Sequence, residues 1–187
     1  MLVNEADEMM QMLVDSAASF LADKHERKRL RIGNLAPRSA VDTAVWQAII
    51  DLGWLGLRVP ESLDGAGLDF GYTAGLCETF GNALLPEPFI AYAVMPAGFL
   101  ARCPDGDAKT RAVADFLSGH IRFSLAWQEE PGQLAPLSLT ARRDASGKLS
   151  GTKRFVPCSL PGTNYLVSVM DGATPAVLLL PSDTPGL

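Results

Sequence analysis

Cysteine, histidine and long apolar runs are all scarce in this chain, and each shortage removes a class of function. The three cysteines, Cys77, Cys103 and Cys158, are odd in number, widely spaced and form no C-x-x-C pair. That argues against a disulfide framework and suits reduced thiols in a cytoplasmic protein. Only His25 and His120 accompany them, so there is no recognisable zinc ligand set and no metal is expected. No apolar run approaches the roughly 20 residues that span a bilayer. The first residues, Met1 to Asp7, carry acids and no basic stretch, which argues against a secretory signal. Positive charge is not in excess either: 16 Lys and Arg face 21 Asp and Glu, for a net charge of −5. A phosphate-binding surface normally has the opposite balance. The expectation is a cytoplasmic protein that binds neither nucleic acid nor membrane. No G-x-S-x-G elbow occurs, and neither histidine has a Ser or Cys companion in such an elbow, so no nucleophile–base set is visible.

What is present is ordinary globular material. With 187 residues, 48% apolar and 20% charged, the chain is long enough for one good core or two small ones. Its pattern changes near His120. Before that point apolar residues recur at helical spacing. Met9, Leu13, Ala17, Phe20 and Leu21 share one helix face that Asn4 could cap, and Lys24, Arg27, Lys28 and Arg29 suit its negative end. The cluster reads as a solvated helix end. A second helix is expected from Ala40 to Leu52, burying Val41, Val45, Trp46, Ile49 and Ile50, with Gly53 stopping it. A third starts near Asp69, with Leu76, Phe80 and Leu84 inward. Pro86 and Pro88 break the chain before helical stretches at about 89–101 and 108–117.

After His120 the period shortens to that of strands. Ile121 to Trp127 alternates. Segments 137–143 and 148–155 flank the hairpin signal Asp144-Ala145-Ser146-Gly147, and 164–170 and 176–180 flank Asp171-Gly172-Ala173. Helices followed by strands give an α+β order, with an all-α domain at 1–120 and a β-domain at 121–187.

Three segments stand out. The first runs from Leu52 to Asp69 and contains Leu52-Gly53-Trp54-Leu55-Gly56-Leu57, then Pro60-Glu61, then Gly65-Ala66-Gly67-Leu68. Alone, its glycines read as a plain turn, and a dinucleotide fingerprint is rejected because no strand precedes it and the third glycine is missing. The run continues through Phe80-Gly81-Asn82-Ala83-Leu84-Leu85-Pro86-Glu87-Pro88-Phe89. The second is Ser124 to Gly132, which ends in Glu129-Glu130-Pro131-Gly132. The third is Gly151-Thr152-Lys153-Arg154-Phe155-Val156-Pro157-Cys158.

In type, order and spacing these segments resemble the acyl-CoA dehydrogenase family of flavoenzymes, especially the divergent small subunits of the bacterial enzymes. The resemblance implies an N-terminal helical domain followed by an incomplete, antiparallel, barrel-like middle β-domain. It also implies FAD as cofactor and an acyl-CoA thioester as substrate. Carried over residue by residue, the flavin-binding positions are Ala126, Gln128 and Glu129 on the strand edge, and Phe155, Val156 and Pro157 on the later strand. Two departures have chemical content. Glu129 replaces a threonine, so an acceptor stands where the family has a donor. Pro157, where a threonine is usual, offers neither a hydroxyl nor an N–H. Either Glu129 points away from the flavin or flavin binding is weakened.

The family's catalytic carboxylate belongs to its C-terminal half, which no segment of residues 1–187 resembles. No catalytic residue is therefore assigned. The expected function is that of an acyl-CoA dehydrogenase portion, inactive alone, in a homo- or hetero-oligomer with a chain that supplies the C-terminal helical domain. The alternative is a catalytically silent subunit with a structural or substrate-channel role.

Overall fold

Apolar residues spaced three and four apart predict a first helix, and α1 runs Leu2–Lys24. The computed structural model describes residues 2–24, 41–133 and 139–187, with side chains from residue 6 onward. Ala17, Phe20 and Leu21 are buried along the inner stripe of α1, whereas Met9 is 43% exposed and lies outside that stripe. The helix begins ahead of Asn4, which therefore does not cap it. His25, Arg27, Lys28 and Arg29 lie outside the described residues.

Helix α2, Thr43–Asp51, starts later than its periodicity suggests because Asp42 caps it. The Asp42 carboxylate accepts from the N–H groups of Ala44 and Val45 at 3.0 and 3.2 Å, satisfying two of the donors a helix start leaves open. Val45, Trp46 and Ile49 are buried, and Gly53 follows at φ 72° as the left-handed stop. Asp69 caps α3, Phe70–Ala83, through Gly71 N–H at 2.7 Å.

The far end of α3 corrects one expectation. Leu76 and Phe80 point inward, but Leu84 is 60% exposed. Its backbone is left-handed, at φ 59°, while Leu85 N–H reaches back to Phe80 O at 3.0 Å. This reversal turns the Leu84 side chain off the helix face. The stretch at 89–101 is also not one regular helix. A π-helical turn, Ile90–Val94, leads into α4, Met95–Leu100. Helix α5 spans Asp107–Leu117.

The glycine-rich segment folds back on the chain that precedes it. Ala66 N–H donates to Gly56 O, Gly67 N–H to Val59 O and Leu68 N–H to Leu57 O, at 2.8 to 3.0 Å. The approach is tightest at Gly65, where a Cβ would collide with the Val59 backbone, so only glycine fits. Within this helical unit, Met1–Gly119, an aromatic chain forms the core. Phe20 meets Trp54, Trp54 meets Phe80 and Phe80 meets Phe89, with ring centroids 5.1 to 5.4 Å apart.

The second unit, His120–Leu187, is a five-stranded sheet organised around β4, Thr163–Asp171. Strand β5, Thr174–Leu180, returns antiparallel along one edge of β4 across the Gly172 turn. β1, Arg122–Ala126, pairs with 163–167 and β2, Arg142–Arg143, with 170–171. A strand has two edges, so β1 and β2 lie one after the other along the edge that β5 leaves free. Both run parallel to β4, which corrects the antiparallel expectation: the sheet is mixed and open. The reason is connectivity. Long excursions, not tight turns, separate β1 and β2 from β4, and such crossovers allow parallel pairing. The Asp144–Gly147 hairpin is present, but β2 and β3, Leu149–Ser150, hold only two residues each. Residues 151–155 form no strand, and 137–138 lie outside the described residues.

Candidate functional site

Between the end of β1 and the start of β2, Ser168 and Val169 of β4 have neither strand as a partner. A polar cluster fills that gap. Lys153 Nζ donates to Glu129 Oε1 at 2.6 Å, to Ser168 Oγ at 3.0 Å and to Trp127 O at 3.4 Å. All three ammonium protons are therefore placed. Glu129 Oε1 also accepts from Ala141 N–H at 3.0 Å. Its Oε2 accepts from Thr140 N–H at 2.6 Å and from the Thr140 hydroxyl at 2.7 Å. The side chains of Lys153 and Glu129 are only 9% and 4% exposed. A buried ion pair is tolerable only when its remaining valences are filled in this way. Burial by itself would raise the Glu129 pKa. The bonds from Lys153, Thr140 and Ala141 outweigh it and hold the carboxyl at about 2.

The Glu129 side chain is buried. Its carboxylate is turned into the protein and fully engaged. Its N–H donates to Gln133 Oε1 at 2.7 Å, and the Gln128 side-chain amide donates to Gln133 O at 3.1 Å. Gln133 thus ties off the loop that follows β1.

The six residues marked from sequence meet in space, though not with one orientation. Arg154 N–H donates to Gln128 O at 2.8 Å, which brings the 126–129 and 153–157 segments side by side. Ala126 and Val156 face an apolar cluster with Ala141, Val167 and Val169. These residues line a cavity of about 370 Å³ on the same sheet face. Phe155 and Pro157 face solvent. Phe155 is 62% exposed with φ 54°, a left-handed backbone that a bulky residue rarely adopts. A strained, exposed aromatic beside two joined segments is a feature associated with ligand contact.

The sequence alone assigns Lys153 no role and does not single out Gln133, Thr140 or Ser168. The available signal is the doubled acid at 129–130, since a buried carboxylate needs a cation and the neighbouring segment carries Lys153 and Arg154. Among the described residues, no His, Cys, Asp and Glu cluster could hold a metal. No described helix is long and apolar enough to cross a membrane.

Residues 7–120 match the family model for the acyl-CoA dehydrogenase N-terminal domain. Among curated relatives, acyl-CoA dehydrogenase IpdE2 of Mycobacterium tuberculosis is 30% identical over 150 residues, and acyl-CoA dehydrogenase FadE27 of the same organism is 27% identical over 146. These alignments cover 79% and 78% of the chain but only 46% and 39% of the relatives. Among solved structures, a variant of the Tcur3481-Tcur3483 steroid ACAD superposes with a TM-score of 0.75 at 26% identity, covering 96% of this chain and 50% of that one. The ChsE4-ChsE5 complex of Mycobacterium tuberculosis gives 0.72 at 24%, covering 95% and 48%. An acyl-CoA dehydrogenase complexed with FAD from Bacillus anthracis gives 0.67 at 19%, covering 96% and 31%. The last two likenesses are of fold alone.

Proposed function

The chain belongs to the acyl-CoA dehydrogenase family, and from that premise we propose that it forms the helical domain, 1–120, and the flavin-side β-domain, 121–187, of an FAD-dependent acyl-CoA dehydrogenase. The observation that carries this reading is the Arg154 N–H to Gln128 O bond. It joins the two segments that the family places against the flavin, with Phe155 exposed beside them. The residues fit the group: an exposed aromatic can stack on a flat ring, and the Glu129 charge is neutralised by Lys153 and turned away. Ala126 and Val156 back the edge from the apolar side, while Gln128, Phe155 and Pro157 form its outer surface. FAD, when bound, supplies the hydride acceptor for the β-hydrogen of an acyl-CoA.

Glu129, already accepting four hydrogen bonds, is no candidate for the base that takes the α-proton. That group belongs to the family's C-terminal helical half and is supplied from outside residues 1–187. Neighbours that include a complex, ChsE4-ChsE5, support the two-chain form. The free thiols Cys77, Cys103 and Cys158 suit the cytoplasm.

One observation favours the second reading, a catalytically silent subunit. Pro157 has no N–H, and the Glu129 N–H is already taken by Gln133, so two donors are missing from the edge. At about 0.5–1.5 kcal/mol for each hydrogen bond, this loss weakens the half-site without abolishing it.

Flavin absorbance retained after desalting tests both readings. The chain alone is expected to hold little FAD and to reduce no dye acceptor with any acyl-CoA. Co-expression with the C-terminal half of a family member is expected to give a yellow complex. Phe155→Ala should weaken FAD binding in that complex about 2- to 10-fold, the value of a ring stack. A colourless complex would favour the silent subunit, and turnover by the chain alone would overturn the need for an outside base.

A further inference from the structure

We propose that the Glu129–Lys153 pair is a charge-balancing device behind the flavin edge that sets the reduction potential of the bound ring; this rests on the flavin reading above. The pair is close to that edge. Lys153 Nζ lies 3.4 Å from Trp127 O, directly under the backbone that leads into Gln128. Lys153 is also two residues from Phe155, and Glu129 adjoins Gln128. Both side chains are buried, so solvent and salt screen them little. Both are held by several bonds, so neither can swing away to relieve an imbalance.

The chemistry makes this charge balance matter. Reduction by a hydride equivalent brings two electrons and one proton to the oxidised ring and leaves it with one added negative charge. A nearby uncompensated cation favours that product, and an uncompensated anion opposes it. As built, the pair presents no net charge. Removing one member exposes the charge of the other.

The two single substitutions should therefore act with opposite sign. Lys153→Met leaves the Glu129 carboxylate unbalanced and is expected to lower the flavin potential. Glu129→Gln keeps the acceptor oxygen for Thr140, leaves the Lys153 ammonium unbalanced and is expected to raise it. Glu129→Gln with Lys153→Met restores neutrality and should return the potential to the wild-type value. A merely structural pair would instead give shifts of one sign that track the loss of folding.

The test is a dithionite titration of the FAD-loaded assembly against an indicator dye, with circular dichroism melting of each variant as the folding control. Should Lys153→Met fail to fold, Glu129→Gln and the double variant still decide the matter. A raised potential in the first that is cancelled in the second supports the inference. Variants that keep FAD at unshifted potential, or shift in one direction together, overturn it and leave the flavin reading intact. If the wild-type assembly takes up no FAD, the flavin reading itself falls, and this inference with it.

Discussion

Lys153→Met is expected to remove about 3–5 kcal/mol of folding stability, read as a lower urea midpoint at unchanged slope. The substitution keeps most of the side-chain volume and deletes the charge. It leaves Glu129, 4% exposed, as an uncompensated buried carboxylate, and a loss of this size is a large share of the stability of a small domain. Adding Glu129→Gln should restore most of it, because a neutral pair has little desolvation to offset. A single variant within about 0.5 kcal/mol of wild type would show that the pair is not closed in solution.

The same pair predicts an acid limb. The Glu129 pKa falls from 4.5 to about 2 on folding. A carboxylate with a depressed folded-state pKa contributes its stability above its unfolded value, and that contribution is lost as the pH drops through the folded value. The window is therefore about pH 4.5 down to about pH 2, with roughly 3 kcal/mol at stake. Denaturant titrations at stepped pH should show this slope in the wild type and not in Glu129→Gln.

Gly65→Ala is expected to cost more than about 2 kcal/mol, at the upper end of overpacking effects. A Cβ at position 65 would lie 2.1 Å from Val59 O, 2.4 Å from Val59 Cβ and 2.5 Å from Val59 C. Two of these atoms are backbone, so no change of rotamer can make room. Gly81→Ala is the matched control. Nothing lies within 4 Å of its Cβ position, inside α3, and the exchange should be neutral or stabilise by up to about 1 kcal/mol. Thermal melts of the two variants compare the effects directly, and equal melting temperatures would refute the close approach at Gly65.

Much of the helical unit was legible because its signals are local. Asp69 and Gly53 act at the ends of the helices beside them, and the inward stripe of α2 is written in its own residues. The sheet was less legible, because β4 takes partners from three places and nothing in a strand's alternation says which one runs parallel. The outward turn of Leu84 and the left-handed backbone of Phe155 were not legible, for a related reason. A left-handed backbone at a non-glycine residue is imposed by its neighbours and leaves no mark in composition. At the site, the family resemblance named two segments that the fold brings side by side, yet the direction of the Glu129 carboxylate depends on Thr140, Ala141 and Lys153. Those residues are 11 to 24 positions away in sequence.

The arrangement around β4 also fixes an order of events during synthesis. β1 cannot pair until 163–167 exists, β2 must wait for 170–171, and β5 follows later still. Loop-closure entropy is therefore met at once for two parallel contacts of long range, which makes this a slow step. The aromatic chain from Phe20 to Phe89 is complete well before that moment. A nascent chain should thus hold a formed helical unit while β1 and β2 still lack β4, and that interval is when a chaperone has most to shield.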